Sequence, residues 1–264
     1  MGLRVEQMGL RQQPSRGRRG ERGFTLVDVL VSLAVITVLI GILLPSFNMV
    51  RESARRVQCA SNLRQIGLGL HMYGQSSNDH LPPSVYLPAS TAGRANVPYS
   101  PELMDTLRTS PAEFPTRPWG HWDGLGLLFQ SAYLSAPGVY YCPSHPGDHP
   151  FDRYRDTWNQ DTGEIISNYQ YRGIGPRGHR RLDQIESNAA LVTDMLRSFR
   201  DLNHKGGFNL LQVGLAVSWF EDTGDEIAGI MARQGDGSPS QAVTDAWTRL
   251  DGDTSAGGMS GFQD

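Results

Sequence analysis

Apolar positions fall along this chain in three regimes. From Phe24 to Leu44 the run is almost wholly apolar, and Asp28 is the one charge among its 21 residues. At about 1.5 Å per residue a helix of that length spans roughly 30 Å, the depth of a bilayer core. From Phe47 onward the period changes: Phe47, Val50, Ala54, Val57, Leu63, Ile66, Leu70 and Tyr73 recur mostly every three or four positions, among Arg51, Glu52, Arg55, Arg56, Gln58, Asn62, Arg64 and Gln65. That spacing predicts an amphipathic helix. Pro45 lies between the two stretches, where a missing backbone donor predicts a kink and not an end. The two stretches therefore read as one helix of about 50 residues, with Gly67 and Gly69 weakening it and Gly74 as its stop.

Beyond Leu81-Pro82-Pro83 the pattern shortens. Six prolines between residues 84 and 120 predict mostly loop with short structured pieces. A short helix is predicted around Leu125, Leu127, Leu128 and Phe129, and strands over Val139–Cys142 and Ile165–Tyr171. Three further strands follow at 189–194, Phe208–Gln212 and Ala216–Phe220, the last two joined by a turn near Gly214. After Glu221 the composition turns to Gly, Ser, Asp and Thr. Ile227, Ile230, Val243 and Trp247 suit short helices there, while the last fourteen residues, with Asp251 and Asp253 and four glycines, read as disordered. Five segments result: a basic leader (1–23), a transmembrane helix segment (24–45), its amphipathic extension (46–76), an extracytoplasmic α+β domain (77–220) and a partly disordered C-terminal region (221–264).

Charge orients this arrangement. Of the 264 residues, the first 23 carry a balance of +4, against a net charge of -3 for the whole. Arg16, Arg18, Arg19 and Arg22 stand just before the apolar run and hold that end in the cytoplasm. The body is acidic, which argues against a nucleic-acid partner. Outside the membrane, Arg51, Arg55, Arg56 and Arg64 offer contacts to lipid headgroups, to an acidic neighbouring subunit, or only to solvent.

Side chains with reactive or ligating chemistry are few. Cys59 and Cys142 permit one disulfide, or stand as two separately buried thiols. Cys142, His145 and His149, with Asp148 and Asp152 nearby, offer metal-ligand residue types on a loop that either converges or presents solvent-facing histidines. His121-Trp122-Asp123 and Ser144-His145 hold residue types of acid–base or nucleophilic pairs, but adjacent residues need not share a face. Asn203 and His204 precede Gly206-Gly207 at a tight connection, with surface recognition as a further role. Phosphate-binding and dinucleotide fingerprints are missing, so no cofactor is expected.

Residues 23–28, GFTLVD, resemble the processing site of type IV prepilins and type II secretion pseudopilins. The resemblance makes Gly23 the last leader residue and Phe24 the new, N-methylated terminus. Asp28 takes the place of that family's glutamate, one methylene shorter. Residues 51–83, YYCPSH at 140–145 and NHKGGFNLL at 203–211 are similar to the large prepilin-like family abundant in Planctomycetes. That family closes with a histidine, nine residues, then Asp-Gly. Counted from His204, the last two positions here are Gly214 and Leu215, so the carboxylate is lost and Gly214 is left to make the turn.

An unpaired carboxylate in hydrocarbon is costly, so Asp28 needs a partner or a place near the interface. Cleavage after Gly23 creates a cationic amine on Phe24, and the amine of one subunit can pair with Asp28 of the next. The expected architecture is an α+β pilin-like lollipop, a long N-terminal helix whose outer half packs from Val50 to Tyr73 on an antiparallel sheet. The expected function is non-enzymatic: a pilin-like or pseudopilin-like subunit of the inner membrane, single-pass, with its N-terminus cytoplasmic. Its expected partners are a prepilin peptidase/methylase, similar subunits, the inner-membrane assembly platform and the lipid bilayer. The alternative is a membrane-tethered extracytoplasmic binding protein that joins no filament.

Overall fold

A computed structural model describes residues 24–87, 100–110, 121–194, 196–233 and 239–256. The leader with Gly23, much of the Pro-rich stretch and the last eight residues lie outside the described residues. The chain divides into two units, 1–48 and 49–264.

Helix α1 runs Leu26–Ser76, 51 residues, and its backbone stays helical at Pro45. In the first unit its apolar side chains from Leu26 to Leu44 are all exposed, and the segment is long and apolar enough to cross a membrane. In the second unit α1 buries Cys59, Asn62, Leu63, Ile66 and Leu70, whereas Val50, Ala54 and Val57 are exposed. The buried stripe thus begins at Cys59 and not at Val50. Val50, Ala54 and Val57 each precede Cys59, Leu63 and Ile66 by nine positions, and at about 100° per residue that is half a turn out of phase. Traced backward, the buried face reaches Arg56 and Glu52, both half-buried. The Arg56 guanidinium lies 3.4 Å over the Trp219 ring, a cation–π contact within its own domain and not part of a basic patch turned outward.

Gly74 does not end α1. Its carbonyl accepts from Ser77 and Asp79, and the left-handed residues that close the helix are Asn78 and Asp79. Gly67 has a packing role: a Cβ there would stand 2.9 Å from Leu211 and 3.0 Å from Leu215.

After α1 come β1 (Thr106–Arg108), α2 (Gly126–Gln130), α3 (Phe151–Tyr154), β2 (Ile165–Ile166), β3 (Tyr169–Tyr171), β4 (Ala190–Asp194), β5 (Gly207–Gln212), β6 (Val217–Glu221), α4 (Glu226–Ala232) and α5 (Pro239–Ala256). Strands β1 and β2 form a small antiparallel pair, and β3-β4-β5-β6 a four-stranded antiparallel sheet in chain order. The fold is α+β. On β5, Leu211 faces α1, while Phe208 and Leu210 join a second core with Ile227, Met231, Val243, Trp247 and Leu250 of α4 and α5. The sheet is therefore covered on both faces.

Four expectations are corrected. Val139–Cys142 is not a strand: a 3-10 turn, Pro137–Tyr140, precedes Tyr141. Tyr140 and Tyr141 both enter an aromatic core, stacking on Trp158 (5.4 Å) and meeting Phe151 (5.2 Å). Successive strand residues would point to opposite faces. The single strand expected over Ile165–Tyr171 breaks at Ser167-Asn168, whose N–H groups donate to Asp105 and Tyr140 carbonyls, so β2 and β3 lie in different sheets. Helix α5 extends through Asp251 to Ala256, where disorder was expected, and Asp251 pairs with Arg172. At the β5–β6 turn Leu215, not Gly214, takes the left-handed conformation (φ 68°). That is the glycine position of the family's Asp-Gly, so the turn keeps its shape with a residue that tolerates it less well.

Candidate functional site

Two places concentrate chemistry, one in each unit. At the start of α1, Thr25 is the N-cap and Asp28 stands three residues later. The Thr25 N–H and hydroxyl donate to Asp28 Oδ2 (3.0 and 2.8 Å), and the Asp28 N–H donates to Thr25 Oγ1 (3.2 Å). This is a capping box with aspartate in the acidic position. It satisfies donors that the helix start leaves orphaned, and it gives Asp28 partners from its own chain. Phe24, just before it, is exposed.

The second place is a buried polar cluster in the larger unit. Cys59 comes from α1, Cys142 from the loop after the 3-10 turn, Asp194 from the end of β4, and His204 from the β4–β5 connection. One donor atom from each lies within 4.8 Å of all the others, and all four residues are buried. Cys59 Sγ donates to Asp194 Oδ1 (3.0 Å), which also accepts from Asn203 Nδ2 (3.1 Å). Asp194 Oδ2 accepts from the Asn209 N–H (2.6 Å). His204 Nε2 lies 3.4 Å from Cys142 Sγ and 3.9 Å from Asp194 Oδ2, and Nδ1 is 2.7 Å from Glu52 Oε1. The Tyr169 hydroxyl reaches Cys59 Sγ at 3.2 Å. Trp219 meets the His204 ring edge-on at 5.8 Å.

The connection carrying His204 is tight for a steric reason. Gly206 has φ +76°, and a Cβ on Gly207 would lie 2.3 Å from the Phe220 carbonyl oxygen. Two glycines in succession let the chain turn and enter β5 directly.

Electrostatics polarise the cluster. Burial opposes a charge on His204, but its contact with Cys142 and the Asp194 and Cys142 charges outweigh that and push it up to about 9. Burial pushes the Cys59 thiol far up, aided by Cys142 and Asp194. Burial acts the same way on Cys142, yet hydrogen bonds from Cys59 and His204 bring its thiol below the usual range. Cys142 is the thiolate-prone member of the pair.

Several expected sites are redistributed. Asn203 and His204 are buried in the cluster and do not form a surface recognition patch. Cys142, His145 and His149 share no centre: His145 Nδ1 meets Asn203 Oδ1 (2.8 Å), and His149 Nδ1 meets the Tyr154 hydroxyl (2.6 Å). Cys59 and Cys142 are both free and buried side by side, so they are neither disulfide-bonded nor separate. Ser144 donates to Glu52 (2.9 Å) and so is turned from its neighbour His145. Asp123 accepts from Ser84 Oγ (2.6 Å) and the Val85 N–H (2.9 Å), a structural role. Asp194, Glu52 and Asn209 were not anticipated. Their signals were slight: an acid closing an apolar strand, an acid seven residues before Cys59 on one helix face, and an amide inside FNLL.

Residues 48–202 match the family described as protein of unknown function (DUF1559). The chain belongs to this family. In this DUF1559 protein, residues 18–44 also match the prokaryotic N-terminal methylation motif, which ends where the apolar run ends. Type II secretion system core protein G of Pectobacterium carotovorum subsp. carotovorum is 27% identical over 115 residues, covering 41% of this chain and 69% of that protein. No solved structure matches. The motif, the relative and the apolar helix together make this DUF1559 chain a prepilin-like, membrane-anchored protein of the pilin type.

Proposed function

We propose that this DUF1559 protein is a structural pilin-like or pseudopilin-like subunit, cut after Gly23 by a prepilin peptidase, methylated on Phe24 and assembled through its N-terminal helix. The observation that carries the reading is the methylation motif over residues 18–44, with Phe24 exposed ahead of a capped Asp28. Both Thr25 bonds converge on Asp28 Oδ2. That leaves the other oxygen of the carboxylate to receive the amine of a neighbouring Phe24, neutralising both charges in a medium that penalises them. The leader stays cytoplasmic and the larger unit lies outside the cytoplasmic membrane. Val50, Ala54 and Val57, exposed on α1, offer apolar surface of the larger unit to a neighbouring subunit. Its partners are the prepilin peptidase/methylase, similar subunits and an inner-membrane assembly platform.

Mass spectrometry of the native N-terminus, with crosslinking in membranes, tests this. The mature chain is expected to begin at N-methylated Phe24, and Gly23→Val to remain uncut. Asp28→Asn should be cut normally but lose crosslinked multimers. An uncut wild-type chain in cells with an active peptidase would defeat the reading. Normal cutting with monomers only would favour a tethered domain instead.

A further inference from the structure

We propose that Cys59, Cys142, Asp194 and His204 form a closed tetrahedral site for zinc. Zinc bonds of roughly 2.3 Å to sulfur and 2.0–2.2 Å to nitrogen and oxygen place neighbouring donors of a tetrahedron about 3.3–3.8 Å apart. The Cys59–Asp194, Cys142–His204 and His204–Asp194 donor pairs lie at 3.0, 3.4 and 3.9 Å, and all four donors are within 4.8 Å. Small side-chain rotations bring these edges to the tetrahedral value.

The donor types select the ion. Two thiolates, an imidazole and a carboxylate suit zinc, whereas magnesium and calcium take oxygen donors almost exclusively. Binding releases to solvent the Cys59 thiol proton and the proton shared between Cys142 and His204 Nε2, and forms two Zn–S bonds, one Zn–N and one Zn–O bond with no change of oxidation state. The dication also offsets negative charge that the fold places out of water, on the buried Asp194 carboxylate and the enclosed Cys59 and Cys142 sulfurs.

The outer shell is arranged for this role. Glu52 accepts from His204 Nδ1, so Nε2 is the nitrogen that turns to the cluster and ligates once its proton is displaced. Asn203 and the Asn209 N–H hold the Asp194 carboxylate in place. With four protein donors, all of them buried, the site is structural. It ties α1, the loop after the 3-10 turn, β4 and the β4–β5 connection at one point. The inference stands independently of processing and assembly.

The test uses the full-length chain, purified in detergent under reducing conditions without chelator. Elemental analysis should find one zinc per chain. After chelator treatment, cobalt should give thiolate charge-transfer bands and the intense visible absorption of a tetrahedral centre. Asp194→Asn and His204→Gln should lose the metal, Glu52→Gln should bind it about tenfold or more weakly, and His145→Gln and His149→Gln should keep it. Cobalt spectra of the wild-type chain decide the matter even where a variant fails to fold. A chain that neither holds zinc nor takes up cobalt would overturn the proposal. So would unchanged zinc in both Asp194→Asn and His204→Gln, or a reduced preparation that reverts in air to a Cys59–Cys142 disulfide without ever holding metal.

Discussion

Asp105 shows how one side chain can set the pH response of the larger unit. Its carboxylate is buried, with Arg197 Nη1 at 3.2 Å. Burial raises it, Arg197 only partly offsets that, and Asp201 and Glu164 add to the rise, leaving it at about 7. The folded state therefore keeps a proton between pH ~4 and ~7 that the unfolded chain has lost, and stability from this group falls as pH rises through that window. The full effect is at most about 4 kcal/mol at 1.36 kcal/mol per unit. His145 and His149 act in the opposite sense. Burial first, with Arg197 adding at His149, lowers both, so their contribution is present above pH ~6.5 and fades as pH drops. A difference measurement separates them. In thermal unfolding of the full chain, wild type should lose stability relative to Asp105→Asn between pH ~4 and ~7 and hold a constant difference above; a difference that is flat throughout would refute the assignment.

At the scale of elements, close approaches explain glycines that look like helix breakers. Gly126 opens α2 against β1, and a Cβ on it would lie 1.9 Å from the Leu107 carbonyl oxygen, a backbone atom that cannot turn aside. Gly138 opens on free space instead. Gly126→Ala should therefore lower unfolding free energy by about 3 kcal/mol, and Gly138→Ala by under about 1 kcal/mol. Equal effects would show that packing at Gly126 is not what selects it. The long helix and strands β4, β5 and β6 were legible because each is a sustained apolar or periodic run bounded by polar or glycine-containing stretches. The phase of the α1 stripe was not. Val50 to Val57 and Cys59 to Leu70 each repeat every three or four residues, and only the partners at Glu52 and Arg56 reveal which run is inside. Tyr140-Tyr141 misled for a related reason: strand-forming residues were recruited into an aromatic core that fixes a turn.

For the molecule as a whole, the N-terminal chemistry was readable because it is local, contained in six consecutive residues. The buried cluster was only half readable. Its members and supports come from positions 52, 59, 142, 194, 204 and 209, and no spacing rule links a helix to a strand end across such separations. The outer cover of α4 and α5 was also obscured, since its apolar residues are scattered through a Gly- and Asp-rich stretch. That cover bears on where the protein can be divided. The family match stops at residue 202, between two hydrogen-bonded strands, β4 and β5. A fragment excised at that border would leave β4 as a raw edge, discard His204, and strip the sheet of the helices that shield its far side. A soluble piece worth crystallising has to run on to residue 256, where α5 ends.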